Sequence, residues 1–157
     1  MNSVKKNVTG WLAALALVTT IGVVPANAQK RDVIAEASAI CVAVSNNVYP
    51  DAENPIIPDP TLVDACSLLE KTFGVTITGK KAARNKVALL RKISSAILSL
   101  DDVFVRGKEE QIETAIRYLL DFADKAGQLN AAGKLEDADA DCLIEDAEAI
   151  VIELLLL

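Results

Sequence analysis

Apolar residues recur at helical spacing in five segments of the chain, two short ones before Lys80 and three longer ones after it. Side chains three and four residues apart lie on one face of a helix, so each segment predicts an amphipathic helix with one buried stripe. The predicted core positions include Ala37, Cys41, Val44, Leu62, Cys66, Leu69, Phe73, Leu89, Ile93, Ile97, Leu119, Ala126, Ala138, Cys142, Ala147, Val151 and Leu154. Strand patterns are nearly absent and the connections are short. The sequence therefore predicts an all-α fold, a small antiparallel bundle of about five helices.

Proline and glycine mark the ends of these helices. The stretch "YPDAENPIIPDP", residues 49–60, contains four prolines and predicts a semi-rigid loop between the first two helices. Asp59 suits a helix cap and Pro60 suits the first helical position. Gly133 is expected to close the fourth helix, with Leu135 packing back after the turn.

The first 28 residues have the pattern of a secretory signal peptide. Lys5 and Lys6 give a positive start, the apolar run "WLAALALVTTIGVV" follows, and "ANA" ends at Ala28 as a cleavage site of small residues. The run is shorter than the about 20 apolar residues that cross a bilayer. Cleavage after Ala28 predicts a secreted or periplasmic mature chain, Gln29–Leu157, that has no membrane span.

The mature chain would have 129 residues, enough for one domain with a sizeable core. We expect two parts within it. Residues 29–79 hold the N-terminal helical pair with its proline-rich loop, and residues 80–157 hold a module of three longer helices. The short connections predict that 29–157 forms one compact domain.

Composition narrows the classes of function. Without Lys5 and Lys6, 14 basic residues stand against 22 acidic ones, a net charge of −8. Such a chain is a poor nucleic-acid binder, because phosphate neutralisation needs a basic footprint. The sequence contains no histidine, which excludes histidine-dependent triads and His-ligated zinc sites. The acids cluster on polar helix faces, where nothing would tune a catalytic carboxyl, so the sequence predicts a protein that is not an enzyme.

Three cysteines remain after export, and an exported chain can hold a disulfide. Three intramolecular pairings are conceivable. Cys41 and Cys66 lie on the apolar stripes of two helices that the proline-rich loop joins, which favours a Cys41–Cys66 disulfide. In the alternative interpretation, both are small core residues with free thiols. Cys142 is the third thiol, free or paired between chains.

Three segments of the C-terminal half follow one another in an order that resembles a known family. Its parts are "KVALLRKISSAILSL", "ETAIRYLLDFADKAGQLNAAGKL" and "ADADCLIEDAEAIV", between about Lys86 and Leu155. This order of a leucine-rich helix, an "AI…L…F" helix, a "GKL" turn and an alanine-rich third helix resembles the FIMAH-type domain of secreted bacterial proteins. The resemblance implies a three-helix accessory or interaction module and no catalytic residue. The aspartates at 137, 139 and 141 and the cysteine at 142 depart from the family pattern.

Those aspartates raise a calcium hypothesis. Asp137, Asp139, Asp141 and Glu148 fall at positions 1, 3, 5 and 12 of an EF-hand-like loop. Cys142 stands where the loop needs glycine for a sharp turn. The competing interpretation is the acidic opening of the last helix, where the helix dipole favours carboxylates.

Charge is segregated along the chain. Six basic residues and no acid lie between Lys80 and Lys92, and seven acids and no base lie between Glu136 and Glu148. The plainer interpretation is two solvated helix faces that attract each other within the bundle. The functional interpretation is a dipolar surface that selects a partner. Its candidate interaction residues are Lys80, Lys81, Arg84, Arg91 and Lys92.

These observations favour an exported, non-enzymatic interaction or structural module that contacts another protein or a cell-envelope polymer and uses no cofactor. The alternative is a soluble ligand- or Ca²⁺-binding protein that uses the acidic C-terminal helix. Self-association is a further expectation, through Cys142 or through the leucines of the C-terminal "AIVIELLLL".

Overall fold

Five α-helices make up most of the described chain. The computed structural model describes residues 31–46 and 59–157, so the predicted signal peptide and all but the end of the proline-rich loop lie outside the described residues. The helices are α1 (Val33–Ser45), α2 (Pro60–Gly74), α3 (Ala82–Phe104), α4 (Ile112–Ala131) and α5 (Asp137–Leu155), and a short 3₁₀ helix, Glu109–Gln111, precedes α4. No strand occurs in these ranges, which confirms the predicted all-α class.

The four helices α2 to α5 form an up-and-down bundle, and residues Val33–Leu157 form one compact unit. α3 packs against α2 and α4, and α5 packs against α4 and α2. The backbones of α3 and α5 do not approach each other closely, and neither do those of α2 and α4, so each of these pairs occupies diagonal corners of the bundle. The added helix α1 packs along α3 and also contacts α2.

The start of α2 follows from its sequence. The Asp59 side chain accepts a hydrogen bond from the Thr61 backbone N–H at 2.9 Å, which satisfies a donor that a helix start leaves free. Pro60 occupies the first helical position, where its missing N–H costs nothing. The predicted cap is therefore confirmed.

The turn between α4 and α5 also follows from its sequence. Gly133 has φ +65°, a conformation that glycine adopts without steric cost. The Gly133 N–H donates to the Asn130 carbonyl at 2.8 Å, and the Lys134 N–H donates to the Leu129 carbonyl at 2.9 Å. This pair of hydrogen bonds is a Schellman motif, and Leu135 packs back into the core as expected.

One apolar core runs through the unit. Its largest fully buried side chains are Leu62, Leu68, Leu89, Ile93, Ile97, Leu100, Leu119, Phe122, Leu143 and Ile150. Two of the predicted core positions are wrong at α5, because Ala138 and Cys142 are exposed. The buried stripe of α5 runs instead through Ala140, Leu143, Ala147, Ile150, Val151 and Leu154. The prediction of Phe73 as a core position is also wrong, because Phe73 lies in the last turn of α2 at the rim of a groove and is 46% exposed.

The predicted Cys41–Cys66 disulfide is present. It joins α1 to α2 with a Cα–Cα distance of 5.4 Å and a sequence separation of 25 residues. Disulfides persist in oxidising compartments, so this bond agrees with the expected export. Cys142 carries a free thiol.

None of the described helices is long and apolar enough to cross a membrane.

Candidate functional site

The basic segment predicted as an interaction surface forms an exposed face at the start of α3. Lys80 and Lys81 precede the helix, and Arg84 and Arg91 follow on its outer side; all four are exposed. Within the described part of the chain, none of the four takes part in an ion pair or a side-chain hydrogen bond. We call these four residues the basic face.

The other two basic residues of the segment are engaged within the bundle. The Lys86 ammonium donates to the carbonyl oxygens of Phe73 at 2.6 Å and Val75 at 2.8 Å, at the end of α2. The Lys92 Nζ lies 3.6 Å from an Asp121 carboxylate oxygen on α4. Lys92, which was predicted to belong to the interaction surface, therefore directs its charge towards α4.

The electrostatics of the helix start do not stabilise the basic face. A helix N-terminus carries a partial positive charge, which favours acidic rather than basic neighbours. The first turn of α3 nevertheless contains no acidic residue, and its cap position, Lys81, makes no side-chain hydrogen bond. The positive charges therefore repel one another, and the partial positive charge of the helix end repels them too. Solvent screening reduces this repulsion energy.

Lys134 adds a fifth positive charge near this face, although it lies far away in the sequence. The Thr78 N–H donates to the Lys134 carbonyl at 2.9 Å, which ties the connector before α3 to the turn before α5. Gly79 is close enough that a Cβ there would lie 3.8 Å from the Lys134 side chain. Sequence reasoning missed Lys134, because the hydrogen bond that brings it here joins two loops of irregular structure.

The acidic segment forms the outer side of α5. Asp141, Glu145 and Glu148 are exposed, and they form no ion pair or side-chain hydrogen bond among the described residues. We call these three residues the acidic face. They lie at i, i+4 and i+7, so the three carboxylates share one side of the helix.

Two acids of the same segment have partners inside the bundle. Asp146 accepts a hydrogen bond from the Lys71 ammonium on α2 at 2.5 Å, and this contact raises the pKa of Lys71 above its ordinary value. Asp137 accepts from the Asn130 side-chain amide at 2.6 Å, which helps to fix the start of α5. These two residues therefore support packing and capping.

The four candidate calcium ligands lie on a continuous helix. Asp137, Asp139, Asp141 and Glu148 all belong to α5, which runs without interruption from Asp137 to Leu155. The helical interpretation of this stretch is therefore confirmed. A helix spreads positions 1, 3 and 5 around its axis, whereas an EF-hand loop turns them towards one ion. Across residues 31–46 and 59–157, no group of three candidate ligands is close enough to hold a metal ion.

The basic and acidic faces do not meet within one molecule. α3 and α5 occupy diagonal corners of the bundle, and their backbones do not approach each other closely. None of the ion pairs within the described ranges joins the segment 80–92 to the segment 136–148. Mutual attraction within the bundle, the plainer interpretation of the charge pattern, therefore has no direct contact to support it.

An apolar groove of about 700 Å³ lies between α1 and α2. Val42, on its α1 side, is 61% exposed, and Phe73 lies at the end of its α2 side. The Cys41–Cys66 disulfide contributes to its wall. Residues 47–58, which connect the two helices, lie outside the described residues.

Two of the three buried polar side chains of α3 stand out, and neither was anticipated from the sequence. Ser94 is fully buried, and its hydroxyl has no hydrogen-bond partner within the described structure. Asp101 is 8% exposed, and burial raises the pKa of its carboxyl although Arg106 lies 3.7 Å away. Both lie where the helical period predicts buried positions. A prediction from apolar residues alone passes over them because they are polar.

The residues that carry the resemblance to the FIMAH-type domain lie in α3, α4 and α5 and in the turns between them. They occupy core and turn positions, so they bear on the fold more than on an activity. The resemblance itself stays a prediction. Compared with known proteins, the chain matches no protein-family model, no curated protein and no solved structure.

Proposed function

We propose that this protein is an exported, non-enzymatic interaction module whose basic face binds an acidic partner, either another protein or an anionic polymer of the cell envelope. The observation that carries the proposal is the exposure of four basic side chains, Lys80, Lys81, Arg84 and Arg91. These residues are exposed and have no partner among the described residues. The four positive charges are therefore available to bind the negative charges of a partner.

The energetics of the face support a binding role. Clustered positive charges at a helix N-terminus cost stability, because they oppose the helix dipole and repel one another. The whole chain carries a net charge of −6, so a cluster of four positive charges stands out against an acidic background. Such a patch attracts anions over a distance of about one Debye length, about 8 Å at physiological salt.

The platform beneath the face is rigid. Lys86 and Lys92 tie α3 to α2 and α4 on either side, and the disulfide joins α1 to α2. A face on a well-packed helix binds without first paying the entropy of ordering. The disulfide also supports export, because it persists where thiols are oxidised.

The test measures binding of two anionic probes, poly-glutamate for a protein-like partner and polyphosphate for an envelope-like polymer. The charge-reversed variant Arg84→Glu/Arg91→Glu is expected to bind the preferred probe about tenfold more weakly or worse. Titration calorimetry at several salt concentrations reports the affinities. The affinity of the unmodified protein should fall as salt rises, because exposed charges are screened.

The matched control is Arg117→Glu/Lys125→Glu on α4. It changes the total charge by the same amount, and neither residue belongs to the basic face. An equal loss of affinity in both double variants would mean that only net charge matters. That result, or the absence of binding to both probes, would reject the proposal.

A further inference from the structure

The basic face on α3 and the acidic face on α5 have opposite charges and lie at diagonal corners of one bundle. A molecule with this arrangement cannot neutralise one face with the other, but two molecules can. We propose that the partner of the basic face is the acidic face of a second copy of this chain. The inference deepens the proposed function and rests on it, because the same basic face is the binding site.

The spacing of the charges on the two helices is matched. Arg84 and Arg91 are seven residues apart on α3, and Asp141 and Glu148 are seven residues apart on α5. Seven residues correspond to about 10.5 Å along a helix, two turns, and they return a side chain to nearly the same side. Two arginines can therefore meet two carboxylates at once, with the helices parallel or antiparallel. Arginine suits such contacts, because its planar head can donate two parallel hydrogen bonds to one carboxylate.

On α5 itself no positive charge opposes an approaching cation, and Asp146 compensates the charge of Lys71, the α2 lysine beside this face. No lysine or arginine occurs from Glu136 to the end of the chain at Leu157. Ala138, Cys142 and Ala149 are exposed neighbours of the acidic residues, and their small side chains leave the carboxylates accessible, whereas Ile152 adds an exposed apolar side chain one turn beyond Glu148. The basic face is similar, because the exposed residue between Arg84 and Arg91 on its outer side is Val87 rather than an acid.

The geometry of such contacts determines the kind of assembly. Each molecule would offer its basic face to one neighbour and its acidic face to another, which is a heterologous, head-to-tail interface. Repetition of that interface gives a ring if the rotation closes and a filament if it does not. Growth beyond a dimer therefore distinguishes this contact from a symmetric one.

Each contact pair is exposed, so the association is individually weak and sensitive to salt. At an ionic strength of about 0.01 M the Debye length is about 30 Å, and at about 1 M it is about 3 Å. Sedimentation at high protein concentration should therefore give an average mass about twice that of one chain or more in low salt. The mass should return to that of the monomer in high salt.

A charge exchange tests the pairing of the two faces. Arg84→Glu/Arg91→Glu reverses the two arginines of the basic face and leaves the acidic face intact, and Asp141→Lys/Glu148→Lys reverses the two matched acids of the acidic face and leaves the basic face intact. Each variant alone is expected to remain monomeric in low salt, whereas an equimolar mixture should associate again, because each partner supplies the face that the other lacks. All proteins carry Cys142→Ser, so that no disulfide can join two chains through the free thiol.

Arg117→Glu/Lys125→Glu is again the matched control, and it should associate as the unmodified faces do. Monomeric protein at every concentration in low salt would overturn the inference, and so would a mixture of the two reversed variants that stays monomeric. If the protein stays monomeric but its basic face still binds poly-glutamate or polyphosphate, the proposed function stands and the second copy is excluded as the partner. If neither probe binds and the protein stays monomeric, both proposals fail.

Discussion

Asp101 is a buried carboxylate near the end of α3. Burial raises the pKa of this carboxyl above its ordinary value of 3.8, and the nearby Asp102 adds to the effect, while Arg106 opposes it. A raised pKa means that the folded state binds a proton more tightly than the unfolded state does. The ionised carboxyl therefore lowers stability at neutral pH, and protonation removes that cost as the pH falls through the raised pKa.

Asp101→Asn is expected to raise the free energy of unfolding at pH 7 by about 1 kcal/mol or less, because it removes a buried charge that the exposed Arg106 compensates only in part. The difference from the unmodified protein should shrink as the pH falls from neutral towards 3.8. Denaturant unfolding at several pH values measures this difference in the free energy of unfolding.

Asp102→Asn provides a control of opposite sign. Asp102 lies 3.4 Å from Arg106 and 3.3 Å from Lys108, and it is more exposed than Asp101. Loss of these two contacts should lower stability at pH 7 by about 0.5–1 kcal/mol. Destabilisation by Asp101→Asn at pH 7 would contradict the argument, because it would show that the Arg106 contact outweighs the cost of burial.

At the residue scale, the sequence predicted the caps well, because these depend on local chemistry, and it favoured the disulfide because both cysteines lie on apolar stripes of helices that one loop joins. Asp59, Pro60 and Gly133 have one or two conformations that suit them, and neighbouring residues decide which is used. Ser94 and Asp101 could not be predicted, because their polarity conflicts with the positions that the helical period assigns to them. Lys134 could not be predicted either, because it approaches Gly79 through a contact between loops.

Lys86 connects two helices rather than serving the charged surface. Its ammonium donates to two carbonyls at the end of α2, where a helix leaves its last acceptors unpaired and carries a partial negative charge. Six basic residues occur in the segment, and the sequence gives no sign of which one turns towards α2. The side of α3 on which a basic residue lies decides whether it reaches α2. That side becomes evident only when α2 and α3 are packed together.

Lys86→Met is expected to lower the free energy of unfolding by about 1–2 kcal/mol, because it removes two charge-assisted hydrogen bonds and leaves the carbonyls of Phe73 and Val75 without this donor. Thermal or denaturant unfolding measures the change. Arg84→Met, two residues away and without a partner in the described chain, should change stability by less than about 0.5 kcal/mol. Equal effects in the two variants would show that Lys86 contributes only charge.

At the element scale, the period of apolar residues predicted all five helices, and it failed at particular faces. Cys142 and Ala138 lie at helical spacing from other apolar residues, but the buried stripe of α5 runs through Ala140, Leu143 and Ala147. Small residues are tolerated on either side of a helix, so alanine and cysteine carry little information about which side is buried. The larger residues Leu143 and Ile150 decide the orientation.

At the scale of the whole molecule, the disulfide links α1 to the bundle. α1 is short and packs mainly along α3, whereas its covalent link is to α2. The bond restricts the unfolded chain by closing a loop of about 25 residues, which corresponds to about 3 kcal/mol of stabilisation in the chain-entropy description.

Cys41→Ser/Cys66→Ser is therefore expected to lower the free energy of unfolding by about 3 kcal/mol, because the unfolded chain regains the freedom of that loop. Cys142→Ser should have almost no effect, because this thiol is exposed and unbonded. Denaturant unfolding measures both. Detection of three free thiols in the native protein would show that the disulfide is absent.

The diagonal arrangement of α3 and α5 could not be predicted from the sequence. The connection lengths predict which helices are neighbours, and consecutive helices do pack together. Whether the last helix closes on α2 or packs elsewhere depends on the fit of side chains from several helices at once. The sequence revealed two oppositely charged segments, but their separation within the molecule is a property of the packed bundle.

The Cys41–Cys66 bond also makes part of the chain a covalent ring, with α1 on one side and α2 on the other. A protease that cuts one peptide bond between these cysteines would open the ring without releasing either end. The nicked protein would therefore stay one molecule, heavier than the intact chain by one water, and separate into two fragments only after reduction. A single cut in the connection between α1 and α2 would therefore release no helix from the molecule.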